Sequence, residues 1–160
     1  MAFQIGEEVI HLNHGLGKIS DIEEKMVHGE TVSCYVFQTP SLTVWVPIDA
    51  EDRHNLRAPK SKKEFRKLFS VLQSPIEPLS EDHLKRKKQL SQLMNEGQLR
   101  SICRIVRDLT GFGKDKDIKL SDVDKSILER ATNSLLVEWV YSLSVPLPHA
   151  QEKMAELLNS

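Results

Sequence analysis

The apolar residues of this chain change period once, between Arg57 and Ser61, and that change limits the possible folds more than any other feature. Before it the pattern is that of β-structure. Thr31–Thr39, TVSCYVFQT, is dense in β-branched and aromatic residues. Leu42–Val46 alternates, with Leu42, Val44 and Val46 on one face and Thr43 and Trp45 on the other. Asn13–Gly17 and His28–Glu30 read as turns, because glycine takes the positive φ that other residues avoid. The spacing predicts about five short strands in residues 1–57, a small and strongly bent sheet or barrel.

After the change the pattern is helical. Ser61 and Glu64 have the spacing of a capping box, and Phe65, Leu68, Phe69 and Leu72 then fall on one face. Pro75 and Pro78 end that helix. Ser80 is expected to cap a second helix reaching Asn95, and Gly97 to stop it. A third helix is expected from Gln98 to Leu109, followed by a loop over Thr110–Lys119. Ser121 caps the longest helix, ending near Leu143, and Pro148–Leu158 forms a short last one. The fold class is therefore α+β: a β-module over residues 1–57, then an all-α module over 58–160.

Charge sharpens this division. The formal net charge is only −1, which by itself argues against a nucleic-acid partner. Residues 1–57 carry four basic and nine acidic side chains, residues 58–114 thirteen and six, and residues 115–160 five and eight. The total is thus the cancellation of −5, +7 and −3. The middle segment holds Lys85-Arg86-Lys87-Lys88 near the start of its helix, where positive charge opposes the helix dipole. Such a run is either a solvated face or a contact for the phosphate backbone. Arg100, Arg104 and Arg107 share a face of the next helix.

Other constellations point nowhere. His11 and His14 lack a third ligand nearby, so no metal is expected, and no cofactor motif is present. Gly111-Phe112-Gly113-Lys114 lacks phosphate-loop spacing and reads as an interhelical loop. No nucleophile motif argues for an enzyme. Cys34 and Cys103 read as reduced core thiols. With no signal-like N-terminus and no long apolar run, the chain is expected in the cytoplasm, off the membrane, and as a monomer. Trp45 reads either as an interface anchor or as a side chain covered within the chain.

Several motifs together resemble one family. Phe3-x-Ile5-Gly6-Glu7-x-Val9, Asn13-His14-Gly15-Leu16-Gly17-Lys18-Ile19, Leu42-Thr43-Val44-x-Val46-Pro47 and Val106-Arg107-Asp108-Leu109 follow, in order and spacing, the bacterial CarD/CdnL transcription regulators. The resemblance implies a Tudor-like (SH3-like) N-terminal barrel that docks on the RNA polymerase β subunit through Lys25 and the strand Leu42, Thr43, Val44, Trp45, Val46 and Pro47. It also implies a helical domain that meets promoter DNA, with little base readout, through His83, Lys85, Arg86, Lys87 and Lys88, stabilising the open promoter complex. Many relatives carry a tryptophan wedge near the start of the second helix; counted back from Gly97, that position is His83. A weaker wedge leaves a second reading, a polymerase-binding adaptor without it. Trp45 stands where relatives often carry a basic residue.

Overall fold

The computed structural model describes residues 3–48, 55–115 and 117–159. It divides into two units, 1–59 and 60–160.

The first unit is an antiparallel sheet of five strands: β1 (Glu8–His11), β2 (Gly15–Val27), β3 (Glu30–Gln38), β4 (Thr43–Pro47) and β5 (Leu56–Arg57), in the order β4-β3-β2-β1-β5. The short β5 was not legible in the sequence; it pairs with β1 through Ile10 and His11. The long β2 is broken in register between Ile19 and Asp21, where Ser20 is the extra residue and its hydroxyl donates to the Val36 carbonyl at 3.3 Å. A bulge of this kind bends a strand and increases its twist. The β2–β3 turn is made by His28 and Gly29, both at positive φ, as a two-residue hairpin loop requires. Gly17 is needed for a different reason. A Cβ there would meet the Phe37 ring and the Gln38 carbonyl, so only glycine lets Phe37 pack flat against β2. The core is Phe3, Val9, Ile19, Tyr35, Phe37, Val46 and Leu56.

His11 belongs to that packing and is not a surface histidine, contrary to the simplest reading of its turn. Its ring lies 5.3 Å from Phe37 and 4.7 Å from His14, and its Nδ1 accepts the Asn13 N–H at 3.0 Å. Burial, then the neighbouring His14, holds its pKa below the usual 6.5. The fold therefore favours the neutral ring. Stability from this site is complete above about pH 6.5, where both folded and unfolded rings are neutral, and declines as acid protonates the unfolded chain first. The expected result is an imidazole resonance for His11 that titrates below 6.5, and a denaturation midpoint that falls between pH 7 and pH 5 less in His11→Gln than in wild type.

Among its described residues the second unit has six helices: α1 (Lys62–Lys67), α2 (Phe69–Gln73), α3 (His83–Asn95), α4 (Leu99–Phe112), α5 (Asp122–Leu143) and α6 (Leu147–Leu158). The expected capping box of Ser61 with Glu64 is present, and the expected Ser121 cap turns out to be a second box, closed by Asp124. The first expected helix is split at Leu68 into α1 and α2. The core gathers around α4 and α5, with Leu99, Ile105, Leu109, Leu135 and Trp139 fully buried. Trp139 stacks with Phe69 at 5.0 Å and meets Phe65 at 5.4 Å, which seats α1 and α2 on α5. Buried Cys103 lies in the same core; burial, then Glu138, pushes its thiol up to about 12, so it is an inert packing residue.

Two helix ends differ from expectation. The cap of α3 is Asp82, whose carboxylate accepts the Leu84 and Lys85 N–H groups at 3.0 Å, while Ser80 accepts the Asp82 N–H instead. And α4 continues through Thr110, Gly111 and Phe112, residues the sequence assigns to a loop. Ile76 packs against the bare Cα of Gly111, and a Cβ there would collide with the Ile76 side chain, so the helix carries glycine at this position.

Candidate interaction surfaces

β4 is one edge of the sheet, and its pairing with β3 decides which backbone groups are free. Thr39 N–H donates to the Leu42 carbonyl and Ile48 N–H to the Ser33 carbonyl, both at 2.9 Å. In an antiparallel ladder the bonded positions alternate. Leu42, Val44, Val46 and Ile48 therefore turn their N–H and C=O groups to β3. Thr43, Trp45 and Pro47 turn theirs outward, and Pro47 has no N–H to offer. Among the described residues no strand pairs with the outer side of β4, and this edge presents the backbone groups of Thr43 and Trp45.

The side chains sort by face. Val46 is buried in the core, with Val44 packed against it and Leu42 half-buried. Trp45 is on the other face, 43% exposed, in register with buried Val36. Its Nε1 donates to Glu23 Oε2 at 3.0 Å, and the Lys25 ammonium sits 4.5 Å from the ring centroid and 3.9 Å from the same carboxylate oxygen. Lys25 and Trp45 are thereby brought together as one presented patch, with the indole bonded to Glu23, a residue to which the sequence assigned no site role.

On α3 the four-cation run does not act as a unit. Lys85, Lys87 and Lys88 are exposed, whereas Arg86 is 2% exposed. Its Nε and Nη2 donate to the two Asp124 oxygens at 2.9 and 2.7 Å. Nη1 donates to the Ser80 and Glu81 carbonyls, and the guanidinium stacks 5.0 Å from the Phe112 ring. The Asp124 bond raises the Arg86 pKa. Burial pushes the Asp124 carboxyl up, but bonds from Arg86 and Ser121 outweigh it and hold it below its ordinary range. Helical spacing explains the exception. Arg86 and Leu90 share the inward face, while Lys87 and Lys88 lie outside it. Arg86 is thus a positioning residue for the start of α3 and is removed from the exposed face expected of it.

His83 is also partly engaged, with Nδ1 2.9 Å from Arg86 Nη2. The free apolar side chain at this helix start is its neighbour Leu84, 80% exposed and one turn before Lys87 and Lys88. The sequence signal was present: Leu84 is out of phase with the inward Arg86 and Leu90. On α4 the three arginines also separate. Arg100 is exposed, Arg104 pairs with Glu77 at 2.8 Å, and buried Arg107 donates to Asp108 at 2.8 Å. Asp108 in turn accepts the Glu77 N–H at 3.0 Å, so these residues pin the proline segment to α4.

A family model described as CarD, C-terminal domain matches residues 67–155, and one described as CarD-like/TRCF RID domain matches residues 3–58. The chain belongs to the CarD family. YdeB of Bacillus subtilis (strain 168), a protein provisionally named a transcription factor, is 26% identical to this CarD-family chain over 138 residues, covering 85% of this chain and 89% of that one. Membership makes the protein a transcription-related factor of an RNA-polymerase-interacting family, not one known for enzymes. No helix among the described residues is long and apolar enough to cross a membrane, and among them no three His, Cys, Asp or Glu side chains are grouped to hold a metal ion.

Proposed function

We propose that this CarD-family protein bridges RNA polymerase and promoter DNA and stabilises the open promoter complex. The observation that carries the reading is the unpaired β4 edge, with the N–H and C=O groups of Thr43 and Trp45 turned outward beside the Trp45–Lys25 patch. An edge of this kind takes a strand of a partner's sheet, with backbone bonds giving affinity and flanking side chains giving specificity. The partner is the polymerase β subunit. On the second unit, Lys85, Lys87 and Lys88 hold the phosphate backbone without reading bases. Arg86 fixes the helix start from beneath.

Leu84 supplies the apolar tip that His83, bonded to Arg86, does not. A hydrophobic side chain inserted at a base step partly unstacks it and favours an opened duplex. Replacing Leu84 by Ala is expected to shorten the open-complex lifetime several-fold in a heparin-challenge assay, while capture of polymerase is unchanged. An unchanged lifetime would instead support the adaptor reading, in which the polymerase contact persists without a wedge.

A further inference from the structure

We propose that the exposed face of α1 is a second nucleic-acid contact, separate from α3, that grips the phosphate backbone through Lys62, Lys63, Arg66 and Lys67. All four are exposed. At 3.6 residues per turn they fall within an arc of about 140°, and buried Phe65 lies outside that arc, about 130° from its centre. Phe65 and Phe69 pack on Trp139, so the basic arc points away from the core.

Three observations separate this face from an ordinary solvated one. First, among the described residues none of the four cations forms an ion pair, whereas Arg86, Arg104 and Arg107 all do. Second, the one acidic residue on α1, Glu64, is committed to the capping box, where its carboxylate accepts the Ser61 N–H at 3.3 Å. Third, Lys62 and Lys63 stand in the first helical turn, against the dipole, so they do not serve helix stability.

The same face lacks what a protein partner uses. From Ser61 to Gln73 no large hydrophobic residue is exposed. Protein interfaces are built on aromatic and apolar anchors and are depleted in lysine, whereas phosphate binding needs only clustered cations. The charge of α1 therefore fits a polyphosphate backbone better than an acidic protein surface.

The inference rests on the proposed DNA contact, and the test separates the two. Full-length protein is titrated against a fluorescein-labelled duplex by anisotropy across a salt series. Each phosphate contact contributes about 0.9 to the slope of log affinity against log salt. Lys62→Gln, Lys63→Gln, Arg66→Gln and Lys67→Gln combined are expected to lower that slope by about 2–4. The corresponding Lys-to-Arg changes at 62, 63 and 67 are expected to restore it. Ser61, Glu64 and Phe65 are untouched, and circular dichroism verifies the fold. An unchanged slope in the α1 variant, with a lower slope in Lys85→Gln/Lys87→Gln/Lys88→Gln, overturns the α1 contact and leaves the DNA reading standing. An unchanged slope with weakened polymerase capture assigns α1 to a protein partner and also overturns it. Absence of duplex binding by the unsubstituted protein removes both.

Discussion

Replacing Asp124 by Ala is expected to cost about 3–5 kcal/mol of stability. The reason is the partner left behind. Arg86 is 2% exposed and places two of its donors on Asp124 at 2.9 and 2.7 Å. Without the carboxylate the guanidinium stays charged, because arginine is not deprotonated in proteins, and it stays buried under Phe112. Asp124 also accepts the Ser121 N–H at 2.9 Å, so the α5 capping box is lost in the same step. Urea unfolding followed by circular dichroism measures the loss. A cost below about 1 kcal/mol would mean that Arg86 finds water or another acceptor. The paired replacement Arg86→Met with Asp124→Leu is expected to lie closer to wild type than either single change, since no orphaned charge remains. By contrast Lys85→Ala, on an exposed side chain, is expected within about 0.5 kcal/mol.

The same ion pair has a pH signature. The Asp124 carboxyl is held below its ordinary 3.8, so its contribution is present above that pH and is lost as acid protonates it in the fold. The His11 contribution begins to fall below about pH 6.5 and that of Asp124 only below 3.8, so acid starts to weaken the N-terminal unit first.

These sites show where sequence reading succeeds and where it stops. The period change, the Ser61–Glu64 capping box, the Ser121 cap and the alternation of Thr43 to Val46 are local signals, and each became the element it implied. Arg86 was not legible as a buried residue, because its neighbours Lys85, Lys87 and Lys88 make a uniform cationic run and its partner lies 38 positions away. Its membership of the Leu90 face was the available hint. The helical state of Gly111 was hidden for a similar reason. Two glycines one residue apart, Gly111 and Gly113, read as a loop until Ile76 is seen to require the missing Cβ of Gly111. Leu84 carries no motif, and nothing local in the sequence gives Glu23 a site role; exposure in one case and a hydrogen bond to Trp45 in the other give them their roles.

Replacing Thr43 by Pro is expected to weaken polymerase binding about tenfold or more while leaving the N-terminal unit folded. The alternation of bonds along β4 makes this a selective change. Thr43 N–H points outward and contributes nothing to the ladder with β3. It is also the first residue of the strand, a position where proline is tolerated on an edge. Proline there removes one outward donor and puts a ring where a partner strand would lie, and one lost intermolecular hydrogen bond with that steric block accounts for about 1.5 kcal/mol or more. Moving the same substitution by one residue gives the control. Val44 turns its N–H to Phe37 of β3, so Val44→Pro breaks the ladder, and unfolding is expected in place of selective loss. Thr43→Val keeps the donor and is expected to bind as wild type does. Affinity for core polymerase by biolayer interferometry, with circular dichroism on each variant, distinguishes these outcomes. Full-strength binding by a folded Thr43→Pro protein would show that docking does not use the β4 edge, and the contact would then rest on the Trp45–Lys25 face alone.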